Sequence, residues 1–332
     1  MKKNVFVLVA LLLGLCGCQE KTASLSFEKE ETIEFQPVDY PELLGVTVQL
    51  KWFKGNLYVN NFHGDTLLSV YDVEKKHIKQ KMISKGEGPG ELFPPLDLQT
   101  VGDDLFVVSR PLFSLYRVSA DHADRVEKIY QLPSQSDCFL PLTETQLVFS
   151  GLWGKQRYAW LDTSSDQLQT FGSYPNYWEE EEDIPDDAKA MFHQCFFGRN
   201  DALHRFASCS GYALDIYQYD PEKATIPQVY RQIQLGKYQY DYNTEGFITT
   251  KLRSGSDLCV TEMAVTTEYL YLVAQSQTNK RNRDIWVVDW DGNPVKRLCS
   301  DKRILCLTID ESHHRGYAII EDPEEKLVSF QL

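Results

Sequence analysis

The stretch Ile285-Trp286-Val287-Val288-Asp289-Trp290-Asp291-Gly292-Asn293-Pro294 reads as a short strand running into a tight turn. Its β-branched and aromatic residues favour extended backbone, Asp289 opens the turn, and Gly292 supplies the positive φ that a hairpin needs. The same arrangement recurs upstream, where strand-like residues 67–71, 158–161 and 214–219 lead into Asp72, Asp162 and Asp220. Residues 114–118 and 327–330 complete a set of six such strands. Each follows another β-rich segment, centred on Leu57, Leu105, Leu147, Phe206, Leu270 and Tyr317, about 42 to 64 residues apart. Repeats of that length built from several short strands are what propeller blades look like.

The fold class that follows is all-β, a six-bladed β-propeller. Residues 305–309, 316–320 and 327–330 leave the sixth blade one strand short of four. Residues 24–27 or 32–35, which alternate polar and apolar side chains ahead of the first full blade, are expected to supply the missing outer strand. The last blade closed by an N-terminal strand leaves no open edge at the seam. A β-sandwich with an extra domain is the competing architecture, but it gives no reason for six similar segments.

The N-terminus carries a different signal. Lys2 and Lys3 precede an apolar run over residues 5–15, too short for a bilayer core that needs about 20 residues. Leu15-Cys16-Gly17-Cys18 follows and resembles a bacterial lipoprotein cleavage site, with a small residue before Cys18 and an aliphatic one three before it. The expected organisation is a signal peptide over 1–17, lipidated Cys18 with a short tether to residue 23, and the propeller over 24–332. Removing residues 1–17 takes away two lysines and no acid, moving the net charge from −14 to about −16. Nucleic acid is excluded as a partner, since a polyanion gains no counterion release from such a surface. Membrane attachment is expected through the lipid alone, in the cell envelope and at the outer membrane.

Gly86-Glu87-Gly88-Pro89-Gly90-Glu91, Ile285 through Pro294, and Leu305-Cys306-Leu307-Thr308-Ile309-Asp310-Glu311 together resemble the TolB-like six-bladed propeller lipoproteins of gut Bacteroidetes. The resemblance implies a propeller lipoprotein of the envelope and no particular reaction.

In a propeller the loops from an outer strand to the next inner strand share a rim with those between second and third strands. On that rim the sequence places the glycine-rich turn at 86–91, a long insertion at 174–193 and another at 236–255. Arg110, Arg157, Arg253 and Arg283 come from different blades and are the candidate grip for a carboxylate or sulfate, with Trp153 as a stacking platform for a sugar or peptide ring. Lys280 and Arg281 accompany them. The 174–193 insertion holds seven acids in nine residues, read as a solvated run leading through Pro185 into a short helix. The glycine-rich turn reads as a blade-to-blade connection, since Glu87 and Glu91 would repel an anion.

Cys138, Cys195, Cys259 and Cys306 fall near inner strands, and Cys195 and Cys209 flank a hairpin that could bring them into a disulfide. No C-x-x-C is present, and no cofactor or metal is expected. Nucleophile-elbow, zincin and nucleotide-loop motifs are absent. The leading function is therefore a non-catalytic binding or scaffold propeller for a peptide, glycan or envelope protein; the alternative is a propeller hydrolase or lyase acting on a sugar or peptide.

Overall fold

Successive side chains on a strand point to opposite faces, so a blade with neighbours on both sides must be apolar on both. Blade five shows this: Leu270 and Leu272 face the core shared with blade four, while Tyr271 and Val273 face the core shared with blade six. The computed structural model describes residues 25–42, 44–118, 126–257, 259–275 and 283–332. The signal segment, Cys18, its tether, Lys280 and Arg281 lie outside the described residues.

Six antiparallel sheets form the blades, with inner strands Thr47–Phe53, Leu96–Val101, Ser136–Pro141, Phe196–Asn200, Val260–Val265 and Arg303–Asp310. Apolar cores fill each gap between neighbours, from blades one and two around to blades six and one, so the ring is closed by packing as well as by chain. Polar ties reinforce the inner strands. Gln49 of blade one donates to the Leu98 carbonyl at 3.0 Å and accepts from the Leu98 N–H at 2.9 Å. The Trp52 N–H donates to Thr308 Oγ1 at 2.8 Å across the seam between blades one and six. The four turn aspartates behave as their position suggests, each accepting a backbone N–H two or three residues on: Lys75, Ser164, Glu222 and Asp291 donate to Asp72, Asp162, Asp220 and Asp289.

The N-terminal strand does close the last blade, in a different register from that expected. Gln36–Pro37 pairs antiparallel with Ser329 and Val328 as the outer strand of blade six. Glu30–Thr32 instead runs parallel along Pro294–Cys299 as a fifth strand of blade five. The alternating apolar residues between them serve packing: Ile33 is buried in the core between blades five and six, and Phe35 meets Phe330 edge-on at 5.7 Å. One segment therefore seals two blades.

Among the described residues no helix is long and apolar enough to cross a membrane. Cys195 and Cys209, which the sequence could have brought into a disulfide, are both free. Cys209 pairs with Phe196, so Cys195 is one register position away and points to the opposite face of blade four. Cys195 packs toward blade three and Cys209 toward blade five.

Candidate functional site: the capped mouth and the channel

Two loops flank blade four on the upper rim, and both are folded. The first contains a 3-10 turn over Glu179–Asp183 and a helix over Asp186–Phe192, with Pro185 at the helix N-cap and two acids in its first turn. The second contains the hairpin Tyr240–Asn243 with Thr249–Leu252. They share a small core of Ile184, Ala188, Tyr212, Tyr238 and Tyr240, in which the Phe192 ring stacks on Tyr240 at 3.9 Å between centroids. The helix also packs on Gln146–Trp153 of blade three. These loops are thus a cap with its own interior, and at its tip Phe247 is 92% exposed.

The acidic run is not uniformly solvated. Glu181 is completely buried, where it accepts from the Tyr177 N–H at 2.8 Å and the Tyr238 hydroxyl at 3.1 Å. Buried His193 lies 3.6 Å from it through Nε2, longer than a normal hydrogen bond, and its Nδ1 meets Ser210 Oγ at 3.1 Å. Ser210 Oγ in turn accepts from the Arg157 guanidinium at 2.7 Å. Burial, with Arg157 nearby, holds the His193 pKa down at about 4 despite the opposing pull of Glu181. A serine, a histidine and a glutamate in this order have the composition of a nucleophilic triad. Here all three are buried and the hydroxyl is engaged on both sides, so the array ties the cap to blades three and four.

The central channel opens beside this cap. Its upper cavity, about 300 Å³, is lined by all six inner strands and includes Arg110, Asp97, Glu262, Lys51, Cys138 and Cys195. A lower cavity of about 360 Å³ includes Lys51 again, with Arg199, Asp201, Asp310 and Glu311. Lys51 therefore stands at the waist. Arg110 donates to Asp137 Oδ1 at 2.9 Å and to Cys138 Sγ at 3.2 Å near the top. Arg199 stands near the bottom, donating to the Thr100 carbonyl at 2.9 Å and pairing with Asp201.

Protein surrounds the waist charges on most sides, and their ionisation reflects it. Burial raises Glu262 to about 8, helped by Asp97 and opposed by the Met263 N–H and Lys51. Burial lowers Lys51 to about 8, with Arg199 adding to the effect while Asp97 and Glu262 oppose it. Burial also raises Asp97, against the pull of Arg110. These three groups act on one another through space, with no hydrogen bond between them.

Of the five residues expected at the rim, Arg110 alone lines the cavity. Arg157 is 1% exposed and locked in an ion pair with Asp215, so it is part of the wall and has no face to offer a ligand. Arg253 sits on the cap, pairing with Asp241 at 2.7 Å above the Trp178 ring. Arg283 begins the third strand of blade five, where burial lowers its pKa and Arg303 adds to that shift. Trp153 is half-buried at the upper end of its strand, against the core between blades two and three. The convergent mouth of arginines does not assemble from these positions. In the glycine-rich turn, Glu91 accepts the Gly88 N–H at 2.8 Å, so the turn's own carboxylate takes the place an anion would need. Among the described residues no group of three His, Cys, Asp or Glu side chains could hold a metal.

The sequence matches the family described as TolB-like 6-blade propeller-like over residues 39–312. The chain belongs to that family. Among solved structures, this TolB-like chain is similar to a member of the DUF4221 family from Bacteroides vulgatus, with a TM-score of 0.55 and 11% identity over 90% of this chain and 95% of the other. A putative exported protein from Bacteroides fragilis gives a TM-score of 0.54 and 10% identity, covering 91% and 98% of the two chains. The β-propeller domain of Cps50 (Swd1) from Myceliophteria thermophila gives 0.54 and 8%, covering 88% and 98%. At such identities the likeness is one of fold. No curated protein matches the sequence.

Proposed function

We propose that this chain is a non-catalytic binding propeller of the bacterial envelope, held to the membrane through lipid on Cys18 and recognising a peptide, glycan or protein partner at its capped upper rim. The observation that carries the reading is the cap. Two inter-blade loops are built into a rigid aromatic unit beside the open mouth of the channel, rather than left as plain connections. A surface ordered before its partner arrives spends less of the contact energy on ordering, which is how recognition surfaces reach useful affinity. Arg110 contributes a charged donor at the mouth, and Phe247 with half-exposed Tyr242 contributes apolar contact at the cap's tip.

The test is capture by immobilised protein from envelope extract and from defined glycan and peptide panels, with Arg110→Ala and Phe247→Ser variants beside it. Loss of capture in folded variants supports the rim. Undiminished capture in both moves the partner elsewhere, and turnover of a captured glycan or peptide would replace this reading with a hydrolase or lyase. Separately, Cys18→Ser should abolish fatty-acid labelling and release the protein from the membrane fraction; persistence in that fraction overturns the anchor.

A further inference from the structure

The channel waist presents an unusual set of charges. Lys51, Asp97 and Glu262 all line the upper cavity, on the inner strands of blades one, two and five, and none is hydrogen-bonded to another. Charges enclosed by protein are normally paired, because desolvation is costly without a partner. Here one ammonium and two carboxyls face a shared space of about 300 Å³ instead, and the fourth charged side chain of that lining, Arg110, is already paired with Asp137. That volume lies at the small end of ligand cavities. Val48, Phe196 and Val265, each with exposed surface, give the same cavity an apolar wall.

We propose that the waist binds a small zwitterion of the amino-acid class, its ammonium between the Asp97 and Glu262 carboxyls, its carboxylate against Lys51 and its side chain along the apolar wall. The inference deepens the binding reading above and rests on it only in taking the channel to be open to solute. A ligand carrying both charges matches a lining that separates them. A lone anion meets Asp97, a lone metal cation meets Lys51 and Arg110, and an uncharged sugar brings no charge to any of these groups. An arriving ammonium also changes the state of Glu262, which holds its proton up to about pH 8 in the empty channel. Bound beside a positive charge it ionises, so the complex forms with release of a proton to solvent.

Isothermal titration of the purified protein at pH 7 with L-leucine, L-phenylalanine, N-acetyl-L-leucine, L-leucinamide and glucose tests this. The free amino acids should bind saturably, with heats that vary with the buffer's ionisation enthalpy. The two blocked forms and glucose should bind at least about tenfold more weakly, as loss of one charge-assisted contact implies. Lys51→Met and Asp97→Asn should each weaken L-leucine by roughly 10- to 100-fold. Glu262→Gln should weaken it and abolish the buffer dependence. Lys51→Met and Asp97→Asn remove a charge that has no bonded counter-ion, and Glu262→Gln replaces a carboxyl that keeps its proton at pH 7, so their melting temperatures should match or exceed the parent's. Equal binding of free and blocked forms, no binding of any free amino acid at millimolar concentration, or unchanged affinity in the three variants overturns the proposal. Capture of a rim partner without amino-acid binding overturns the waist site and spares the rim; amino-acid binding without a rim partner does the reverse.

Discussion

Replacing Asp215 with alanine removes the carboxylate that neutralises Arg157 inside the wall between blades three and four. The exposures are 0% and 1%, so water cannot take the carboxylate's place. Other donors to Asp215 lose little. Tyr158 keeps Ser208 Oγ at 2.8 Å, shorter than its 3.3 Å contact to Asp215. Gln232, which donates to Asp215 at 3.1 Å, is only partly buried and can turn to solvent. The cost is therefore that of a buried guanidinium left unpaired, about 3–5 kcal/mol. At about 2 °C per kcal/mol, the lower end for large domains, melting should fall by about 6–10 °C. Replacing both members, Arg157→Met with Asp215→Leu, should recover most of that loss, because an apolar pair of similar volume escapes the desolvation penalty. For contrast, Asp241→Ala on the cap removes the partner of Arg253, a pair 66% and 43% exposed, and should cost less than about 1 kcal/mol. Urea midpoints and thermal melts of the three variants and the parent decide the matter. A drop below about 1 kcal/mol for Asp215→Ala, or a double variant less stable than Asp215→Ala, would refute the view of Arg157 as wall.

Three further outcomes follow from the packing. His193 keeps its unfolded value of 6.5 in the unfolded chain but resists protonation until about 4 in the fold, so its contribution is fully present above pH 6.5 and is lost as pH falls through 4. The loss is on the order of 3 kcal/mol, and melting profiles from pH 7 to 4 should be flatter for His193→Gln than for the parent. A β-carbon added at Gly198 would stand 2.3 Å from Val265 Cγ1, on the facing inner strand of blade five. Gly198→Ala should cost about 1–3 kcal/mol, with Val265→Ala alongside restoring part of it. Deleting residues through Pro37 uncovers the edges of blades five and six together, and size-exclusion chromatography should show more concentration-dependent association than for the intact chain.

The blades were legible because each strand carries its instruction locally: alternating or continuous apolar residues, then an aspartate or glycine that only a turn requires. The seam was half legible. Strand-like alternation around residues 32–35 announced a closing element, but alternation alone does not say which of two open edges a segment joins, and Ile33 and Phe35 turned out to plug the space between them. Site residues were harder for a related reason. Whether an arginine such as Arg157 faces solvent or the blade interior depends on a single register position and on what stands opposite, here Asp215, which is 58 residues away in sequence. Glu181 was hidden in the same way, since nothing within a run of acids marks the one that turns inward to Tyr238. Lys51, Asp97 and Glu262 did leave a trace: each is a charge breaking an inner strand otherwise made of apolar and uncharged residues. That they share one cavity is a property of the closed ring.

The same ring explains why the cap and the channel belong together. Glu181 and His193 on the cap reach Ser210 at the upper end of blade four; Ser210 reaches Arg157; Arg157 reaches Asp215, with Tyr158 beneath the guanidinium at 5.0 Å. Cys195, which ends the first cap loop, lines the channel directly. A displacement of the cap would have to break a buried polar chain with no water available to replace its members, at the cost that such networks carry when half satisfied. The cap is therefore better described as a fixed extension of the wall than as a lid. A partner seated on its tip and a solute at the waist would meet one rigid body, and recognition at either place would depend on shape already present in the empty protein.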